Sequence, residues 1–567
     1  MRISFFGPLA GLECRRGLVR PWVFWVRGLA TLPAALVLTV VFWYWWFTVR
    51  VGANVGQFLS PSPVLQFGVL ALETILITIS IVLAPALLAG SLAGEKTRNT
   101  LGLLLACRVS PREIVTARIS GRLSIVGMVL IAALPAAALL SGFLTLPFAS
   151  QAILLLMPCA IAFGGGGLAI AASAVARRGR DALLAVYLLE LLLLLLPTFG
   201  TLLPATVQGF LEPVGPYHGI GTLIDDSNLL PALTTAEIWI GLGLAGIVYA
   251  TWQLRPAFLR DTQKRRSRRW FGGRTVPPVS NRPILWKEIH IEQLGALNRF
   301  VRWLAILIVG TFSIVSLVLA GLYYWELFAG SERGELDWAL SRLQGWMRGS
   351  SAISWLLQWT LGLRAAVAVA AERERGTWDG ILLSPLEGRD IVIGKIYGTL
   401  YSLRWFVALI FLAWTAGVAT GALSVKEYVT LVADTVFIGM FIAAVGVFFS
   451  LNCATATRAM TLTLVTWLGA IPATAIVAIS LTALAGLFLV LLGLYWDPPA
   501  VLSSPSPQYY INWFELGYTT TRLLCYALLA FLISSYCRRY FDRLAGRAHV
   551  SPRVRRRRRV AASRPRQ

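Results

Sequence analysis

The chain is poor in charged residues, which make up 14% of its 567 positions, and rich in hydrophobic residues, which make up 57%. This balance excludes a soluble globular protein, because a chain of that length would need far more polar surface. Apolar runs of the ~20 residues that cross a bilayer recur along the whole sequence. They predict an all-α polytopic membrane protein.

Residues that bind metals or nucleotides are also scarce. The six cysteines form no Cys-x-x-Cys pair and only three histidines are present, so neither a disulfide framework nor a metal site is predicted. The strings nearest to a phosphate-binding loop, 90–97 and 388–395, lack the spacing that wraps a phosphate. We therefore expect no catalytic residue, no cofactor bound by this chain and no ATP hydrolysis within it.

Hydropathy predicts six spans in each half, or about 12 transmembrane helices. The predicted spans lie near residues 29–49, 66–94, 116–142, 150–176, 182–203, 235–255, 303–326, 351–371, 395–421, 427–451, 461–494 and 514–537. Lys and Arg crowd the segments before the first span and after the second, whereas residues 204–234 carry none. Because basic loops stay on the cytoplasmic side, both termini are predicted to be cytoplasmic.

The formal net charge of +24 raises the alternative of a nucleic-acid partner. Most of the excess lies in predicted cytoplasmic loops, in the segment 256–282 and in the tail after Arg538. These positions suit contact with anionic lipid head groups. We therefore predict membrane lipids, and not nucleic acid, as partners.

A charged pattern occurs twice, 277 positions apart, between apolar stretches. We name the copies the first charged segment (residues 95–118) and the second charged segment (residues 372–395). The polar side chains predicted to meet a soluble partner are Glu95, Arg98, Thr100, Arg112 and Glu113 in the first copy and Glu372, Arg375, Thr377, Arg389 and Asp390 in the second. Two such segments predict two equivalent docking points. At any one position the alternative is a charge that only solvates the end of a loop.

A basic, aromatic segment lies before the first predicted span of each half. In the first 28 residues it carries Glu13 and Arg16 and lacks the short apolar core of a signal peptide. In the second half Glu288 corresponds to Glu13 at an offset of 275 positions. Both segments are predicted to be interfacial helices in the head-group region.

These repeats predict a tandem duplication of two six-span units with the same orientation. The predicted domains are a first unit with its interfacial helix (1–255), a basic cytoplasmic linker (256–282), a second unit with its own interfacial helix (283–537) and a basic cytoplasmic tail (538–567).

The chain resembles the permease subunits of ABC-2 type ATP-binding cassette transporters. In that family a cytoplasmic coupling element with Glu-x-x-x-Gly-Thr and a later Glu/Asp-Ile-x-x-x-Lys joins the second and third spans. The second charged segment fits this pattern through Glu372, Gly376, Thr377, Asp390, Ile391 and Lys395. The first charged segment departs from it, with Asn99 in place of the glycine and Arg118 in place of the lysine.

The resemblance implies a transport subunit rather than an enzyme. ATP and Mg would be bound by separate ABC ATPase subunits, and two coupling elements in one chain imply two ATPase copies. The resemblance also implies export of an amphiphilic substrate across a bacterial cytoplasmic membrane.

Three ionisable residues inside predicted spans are candidates for the transport path, namely Glu73, Glu190 and Arg364. The reason is that a lone ionisable group in hydrocarbon is costly and is kept where it has a function. Helix packing or a neutral carboxyl are the alternatives for the glutamates. For Arg364 the alternative is snorkelling to the membrane surface.

Two other functional classes stay open from the sequence. A secondary transporter of the major facilitator kind also has two six-span halves, but its Gly-x-x-x-Asp-Arg-x-Gly-Arg-Arg pattern does not occur between the second and third predicted spans. The third class is a membrane scaffold or sensor with a permease fold and no transport. Stimulation of an ATPase by substrate distinguishes that class from a transporter.

Overall fold

The structure is a computed structural model that describes residues 62–264, 283–290, 299–496 and 507–546, with short gaps at 98–99, 108, 145, 177, 201–204, 331–332 and 348. Before residue 62 it describes 11–15, which are helical, and a few positions between 28 and 42. Within these residues the regular elements are helices, and no strand is formed.

The described helices are, in chain order, α1 (Ser62–Leu88), α2 (Ser91–Thr97), α3 (Leu101–Ala106), α4 (Pro111–Phe143), α5 (Phe148–Val175), α6 (Gly179–Gly200), α7 (Ala205–Leu211), α8 (Ile220–Asp225), α9 (Leu230–Lys264), α10 (Pro283–His290), α11 (Arg299–Ala329), α12 (Arg333–Met347), α13 (Ser350–Val367), α14 (Ala370–Arg375), α15 (Trp378–Leu383), α16 (Gly388–Ser402), α17 (Arg404–Ala419), α18 (Val425–Asn452), α19 (Ala456–Trp496), α20 (Pro507–Arg539) and α21 (Phe541–Ala545). A 3₁₀ turn, Glu212–Val214, follows α7.

Eight of these helices contain a stretch that is long and apolar enough to cross a membrane, and the chain is an all-α polytopic membrane protein. Those stretches are Gly68–Thr97, Pro111–Phe143, Phe148–Val175, Leu230–Leu259, Ile306–Ala329, Val425–Asn452, Ala456–Gly486 and Phe514–Arg539. A ninth span results if α16 and α17 form one broken span. All nine coincide with predicted spans.

Three predicted spans are not among these nine. The one near 29–49 lies almost wholly outside the described residues. Those near 182–203 and 351–371 coincide with α6 and α13, which have 22 and 18 residues. The total of twelve spans therefore stays a prediction.

The chain divides into two compact units. Unit 1 comprises residues 1–274, 294–356 and 406–431, and unit 2 comprises residues 275–293, 357–405 and 432–567. The predicted domain boundaries, which divide the sequence into two consecutive halves, stay a prediction.

The core of unit 1 is built on α5, which packs against α1, α6 and α9. A run of four glycines lets the backbones of α5 and α9 meet. A Cβ atom on Gly167 would lie 2.3 Å from the carbonyl oxygen of Gly243, and one on Gly246 would lie 2.3 Å from that of Gly167. Small residues serve this purpose between helices in membranes, where no hydrophobic force drives helices together.

In unit 2, α10 packs against α16, and α16 in turn packs against α20 and α21. The longest helix, α19, packs along α20. Large aromatic side chains fill this unit, and the rings of Trp359 and Trp467 meet edge to face with centroids 5.8 Å apart. Such pairs add about 0.5–1.5 kcal/mol beyond the burial of their area.

Helix boundaries recur at the offset of 277 positions that the charged segments have in the sequence. The helices α5 and α18 begin at 148 and 425 and end at 175 and 452. The starts of α6 and α19, at 179 and 456, and of α9 and α20, at 230 and 507, have the same offset. The recurrence of local structure thus extends well beyond the charged segments.

Candidate functional site

The two charged segments have the same local fold. In each, a long helix stops, two residues form a turn, and a short helix follows: α2 after residues 89–90 and α14 after residues 368–369. A second short helix comes next, α3 at 101–106 and α15 at 378–383. The long helices α4 and α16 then begin at Pro111 and Gly388, again 277 positions apart.

A buried serine binds the residues just before each charged segment from another helix of the same unit. The Ser173 hydroxyl, near the end of α5, accepts the backbone N–H groups of Leu92 and Ala93 at 3.1 and 3.0 Å. Because the first N–H groups of a helix have no partner within it, this bond satisfies donors that would otherwise be buried and unpaired.

The second charged segment has the equivalent serine. The Ser450 hydroxyl accepts the N–H groups of Val369 and Ala370 at 2.8 and 2.9 Å. All three residues lie 277 positions after their counterparts. Sequence reasoning missed both serines, although they share the offset of the charged pattern.

An ion-pair cluster joins the first charged segment to the N-terminal helical segment. The Arg118 guanidinium, on α4, donates to Glu13 Oε1 at 3.0 Å and to Glu95 Oε1 at 2.8 Å. Glu95 also accepts a hydrogen bond from the Thr100 hydroxyl. The cluster therefore fixes the predicted interfacial helix, the second span and the third span of unit 1 at one point.

The equivalent cluster in unit 2 is centred on Lys395 of α16. Its ammonium group donates to Glu288 Oε1 and to Glu372 Oε1, each at 2.5 Å, and to the carbonyl oxygen of Ala368 at 2.9 Å. A second ammonium group, that of Lys287, lies 2.8 Å from Glu372 Oε1. Two cations thus face two carboxylates, and the cluster is electrically balanced.

The two clusters differ in burial and in charge. The side chains of Lys395 and Glu372 are 0% exposed, whereas those of Arg118 and Glu95 are 17% and 19% exposed. At the offset of 275, Leu12 stands where the second copy has Lys287. Buried ion pairs are costly to break because the remaining charge has no water, so we infer that the second cluster is the more rigid.

A glycine on the third span lets the helical segment approach each cluster. A Cβ atom on Gly121 would lie 2.7 Å from the Cβ of Glu13, and one on Gly398 would lie 2.4 Å from the Cβ of Glu288. The two glycines are 277 positions apart. Any side chain there would push the glutamate away from its cation.

A basic side chain anchors the short helix of each segment to the end of a neighbouring span. The Lys96 ammonium donates to the carbonyls of Ala174 and Ala176, and the Arg373 guanidinium donates to that of Cys453 at 3.3 Å. Burial lowers the pKa of Arg373 from its ordinary value. The last carbonyls of a helix favour such cations, so these contacts tie the segments to α5 and α18.

The remaining predicted coupling residues lie mostly at the surface. Arg112, Arg375, Thr377, Arg389 and Asp390 are exposed. Glu113 is also exposed and caps α4, because its carboxylate accepts the N–H of Ser110 while Ser110 accepts that of Glu113. Arg98 and Arg16 lie outside the described residues.

Large apolar side chains stand among these charges. Leu383, at the end of α15, is 87% exposed, and Leu103, in α3, is 70% exposed. Exposed leucines between charges give a surface both apolar contact and a fixed register.

The three candidates for the transport path have different surroundings. Glu73 is buried and lines a small cavity with Ser141 and Gln151. Glu190 is buried against the glycine run of α5, where a Cβ atom on Gly165 would lie 2.5 Å from its Oε1. Neither oxygen of Glu190 has a hydrogen-bond partner among the described residues.

Arg364 lies in the last turn of α13 and is partly exposed. Glu73 shares its cavity with residues 151–155 of α5, whereas Glu190 lies against residue 165. These positions are roughly 15–21 Å apart along a helix at 1.5 Å per residue. The two carboxyls therefore do not form one site.

A comparison with known families finds a match. The family model described as ABC-2 family transporter protein matches residues 32–320, just over half of the chain. The matched range runs across the basic segment 256–282 into the second half. A comparison with curated proteins finds no match.

Proposed function

Because this chain belongs to the ABC-2 family of transporter proteins, we propose that it is an exporter permease driven by separate ATPase subunits that dock on its two charged segments. Membership of the family makes the chain a transport component and a multi-pass membrane protein. Membership of this family does not favour the alternative of a secondary transporter of the major facilitator kind. We also propose the docking sites of the ATPase, the number of ATPase copies, the class of substrate and the direction of transport.

The observation that carries the proposal is the equivalent anchoring of the two charged segments. In each unit a serine hydroxyl, an ion-pair cluster and a basic side chain bind the segment to the ends of other helices. These contacts stiffen the segment, so a motion imposed on it would pass to the helices that hold it. Transmission of ATPase motion to spans requires this stiffness.

The exposed residues form the proposed docking surfaces. In the second charged segment Leu383 would enter an apolar cleft of the ATPase, while Arg375, Arg389 and Asp390 set the register. In the first charged segment Leu103, Arg112 and Glu113 would do the same. Glu95 and Glu372, which were expected to contact the ATPase directly, are paired within the chain, and we assign them to holding the segment.

The recurrence of helix boundaries at 277 positions supports a tandem duplication. On this proposal one chain supplies the two coupling elements and two ATPase copies bind to it. ATP and Mg²⁺ are bound by those partners. Both termini and both charged segments then lie on the cytoplasmic side.

The proposed substrate is an amphiphile, exported across a bacterial cytoplasmic membrane. Glu73, Glu190 and Arg364 are the proposed contacts along its path, because an ionisable group in a span is costly unless it is used. Lipids of that membrane surround the chain and contact its basic segments.

A pull-down of the tagged chain with the ATP-binding subunits of its host tests this function. Variant A carries Leu103→Asp and Arg112→Glu in the first charged segment, and variant B carries Leu383→Asp and Arg389→Glu in the second. We expect about half of the ATPase to be lost in either variant and all of it in the combined variant.

The matched control is Lys426→Glu, which changes an exposed basic residue at the start of α18, the end remote from Ser450. It should recover as much ATPase as the wild type. Recovery of an ATPase by the combined variant at the level of the wild type would contradict docking on these segments.

A further inference from the structure

A charged pair lies inside the membrane-spanning part of unit 2. The Arg522 guanidinium, on α20, donates through one terminal nitrogen to both carboxylate oxygens of Asp434, on α18, at 2.6 and 2.8 Å. Both residues belong to stretches long and apolar enough to cross a membrane. Asp434 lies nine residues after Val425 and Arg522 lies eight residues after Phe514, and these are the ends of the two stretches that are remote from the second charged segment. At 1.5 Å per residue, each is roughly 13 Å from that end. That depth is near the middle of a hydrocarbon core about 30 Å thick.

The equivalent helices of unit 1 have no such pair. At the offset of 277, Asp434 and Arg522 correspond to Met157 and Ala245 in unit 1, which have no charge. Unit 1 holds the equivalent helices α5 and α9 together by direct contact of their backbones at glycines. A charged pair in hydrocarbon is costly, and such residues mark the pathways of substrates and ions.

The same two helices are further apart in unit 2. Phe441 stands at the position of Gly164, and Thr520 at that of Gly243. Accordingly α18 and α20 are not among the helix pairs with extensive backbone contact, unlike α5 and α9. Side chains bridge the space instead, including the rings of Phe441 and Tyr526, whose centroids are 5.3 Å apart. We call this space the α18–α20 gap.

Arg522 keeps binding capacity that Asp434 does not use. Its Nε is buried and has no hydrogen-bond acceptor among the described residues, and 24% of its side chain is still exposed. The ring of Tyr518 lies 5.7 Å from the guanidinium carbon and supports it from the same helix. A guanidinium held in this way can donate to a further anionic oxygen, since its planar fork matches phosphate and carboxylate.

We propose that the α18–α20 gap binds the anionic head group, a phosphate or a carboxylate, of the amphiphile that the permease transports. Arg522 is the binding residue. Asp434 neutralises Arg522 while the gap is empty and is displaced when the head group enters. This inference rests on the proposed transport function, for which it names the substrate class.

Titration of the purified chain, in a neutral maltoside detergent, with three single-chain amphiphiles tests the proposal. The probes are dodecyl phosphate, dodecanoate and the cation dodecyltrimethylammonium, and binding is followed by the shift of the thermal unfolding midpoint. We expect saturable binding of the anionic probes. A response to only one of the two anionic probes identifies the head group as phosphate or carboxylate.

Two single variants should change this binding in opposite directions. Arg522→Gln should weaken it about tenfold or more, because a charged hydrogen bond is lost. Asp434→Asn should strengthen it, because the competing carboxylate is gone. A pair that only holds helices together cannot give this opposite response.

The double variant Asp434→Met, Arg522→Ala copies the residues of unit 1 and leaves no lone buried charge, so we expect it to fold and to bind no anionic probe. The control Arg404→Gln changes an arginine that rests on the ring of Tyr401 and should bind as the wild type does. Equal binding of anionic and cationic probes, or unchanged binding by the double variant, overturns the proposal.

The titration needs no ATPase, so it stands apart from the pull-down. Failure of the wild-type chain to recover an ATPase would refute the proposed function. It would not affect the interpretation of the titration. Recovery of the ATPase without binding of any anionic probe would refute the head-group site alone.

Discussion

Lys395 and Glu372 form a buried ion pair of 2.5 Å between the last and the first residue of the second charged segment. The pair joins the two ends of the segment, and the short helix α15 lies between them. Arg118 and Glu95 close the first charged segment in the same way, at 2.8 Å. In each segment an ion pair therefore joins the helix that contains its first residue to the helix that contains its last.

Replacement of Lys395 by Ala should strongly destabilise the chain. It would remove the ammonium group that Glu288 and Glu372 share and leave that of Lys287 beside Glu372. Removal of one partner of a buried pair costs about 3–5 kcal/mol. Arg118→Ala should cost about 1 kcal/mol, since Glu13 and Glu95 are partly hydrated. Thermal unfolding of the two purified variants in detergent measures the difference, and equal shifts would contradict the greater burial of the second cluster.

Gly398→Ala should destabilise unit 2 by about 1–3 kcal/mol, the usual cost of overpacking. The new Cβ would lie 2.4 Å from the Cβ of Glu288 and force that residue away from Lys395. Gly380→Ala is the matched control, because Gly380 lies in α15 with open space around it. Alanine is the better helix former, so the control should raise the unfolding midpoint slightly. A neutral Gly398→Ala would show that the close approach is not needed.

Removal of the Ser450 hydroxyl should loosen the start of α14, just before the second charged segment. Ser450→Ala leaves the N–H groups of Val369 and Ala370 without their acceptor, at a cost of about 0.5–2 kcal/mol. Hydrogen exchange at these two amides should accelerate. Ser402→Ala is the control, because that hydroxyl donates to the carbonyl of Thr399 in its own helix. Unchanged exchange at residues 369 and 370 would show that Ser450 does not hold these amides in place.

Replacement of Glu190 by Gln should leave stability unchanged or raise it. Both carboxylate oxygens are buried without a hydrogen-bond partner among the described residues, so a neutral amide is less costly to desolvate. If Glu190 contacts the substrate, stimulation of the ATPase by dodecyl phosphate should fall at the same time. A variant with lower stability and normal stimulation of the ATPase would show that Glu190 stabilises the fold and does not contact the substrate.

The membrane-spanning architecture follows from hydropathy, because a span of α5 or α18 needs only local composition. The equivalence of the charged segments also follows from the sequence, since Glu95 and Glu372 stand in the same pattern. The structure adds that these glutamates face inward. A repeated pattern shows that two sites are alike, but it does not show which side chains are buried.

Contacts between residues distant in the sequence could not be predicted. Ser450 binds residues some 80 positions earlier, and Arg522 meets Asp434 across 88 positions. No local pattern encodes such a contact. The sequence did contain a signal for each contact. Ser450 lies 277 positions after Ser173, the offset of the charged pattern, and Arg522 is a lone arginine in an apolar stretch.

Native mass spectrometry of the complex, purified with its ATPase from the host, tests the central claim most directly. The account predicts one copy of this chain with two ATPase copies. It also predicts one ATPase copy with the variant Leu383→Asp, Arg389→Glu, because only the second docking surface is lost. A complex with one ATPase copy per wild-type chain, or one whose composition this variant does not change, would contradict two docking sites in one polypeptide.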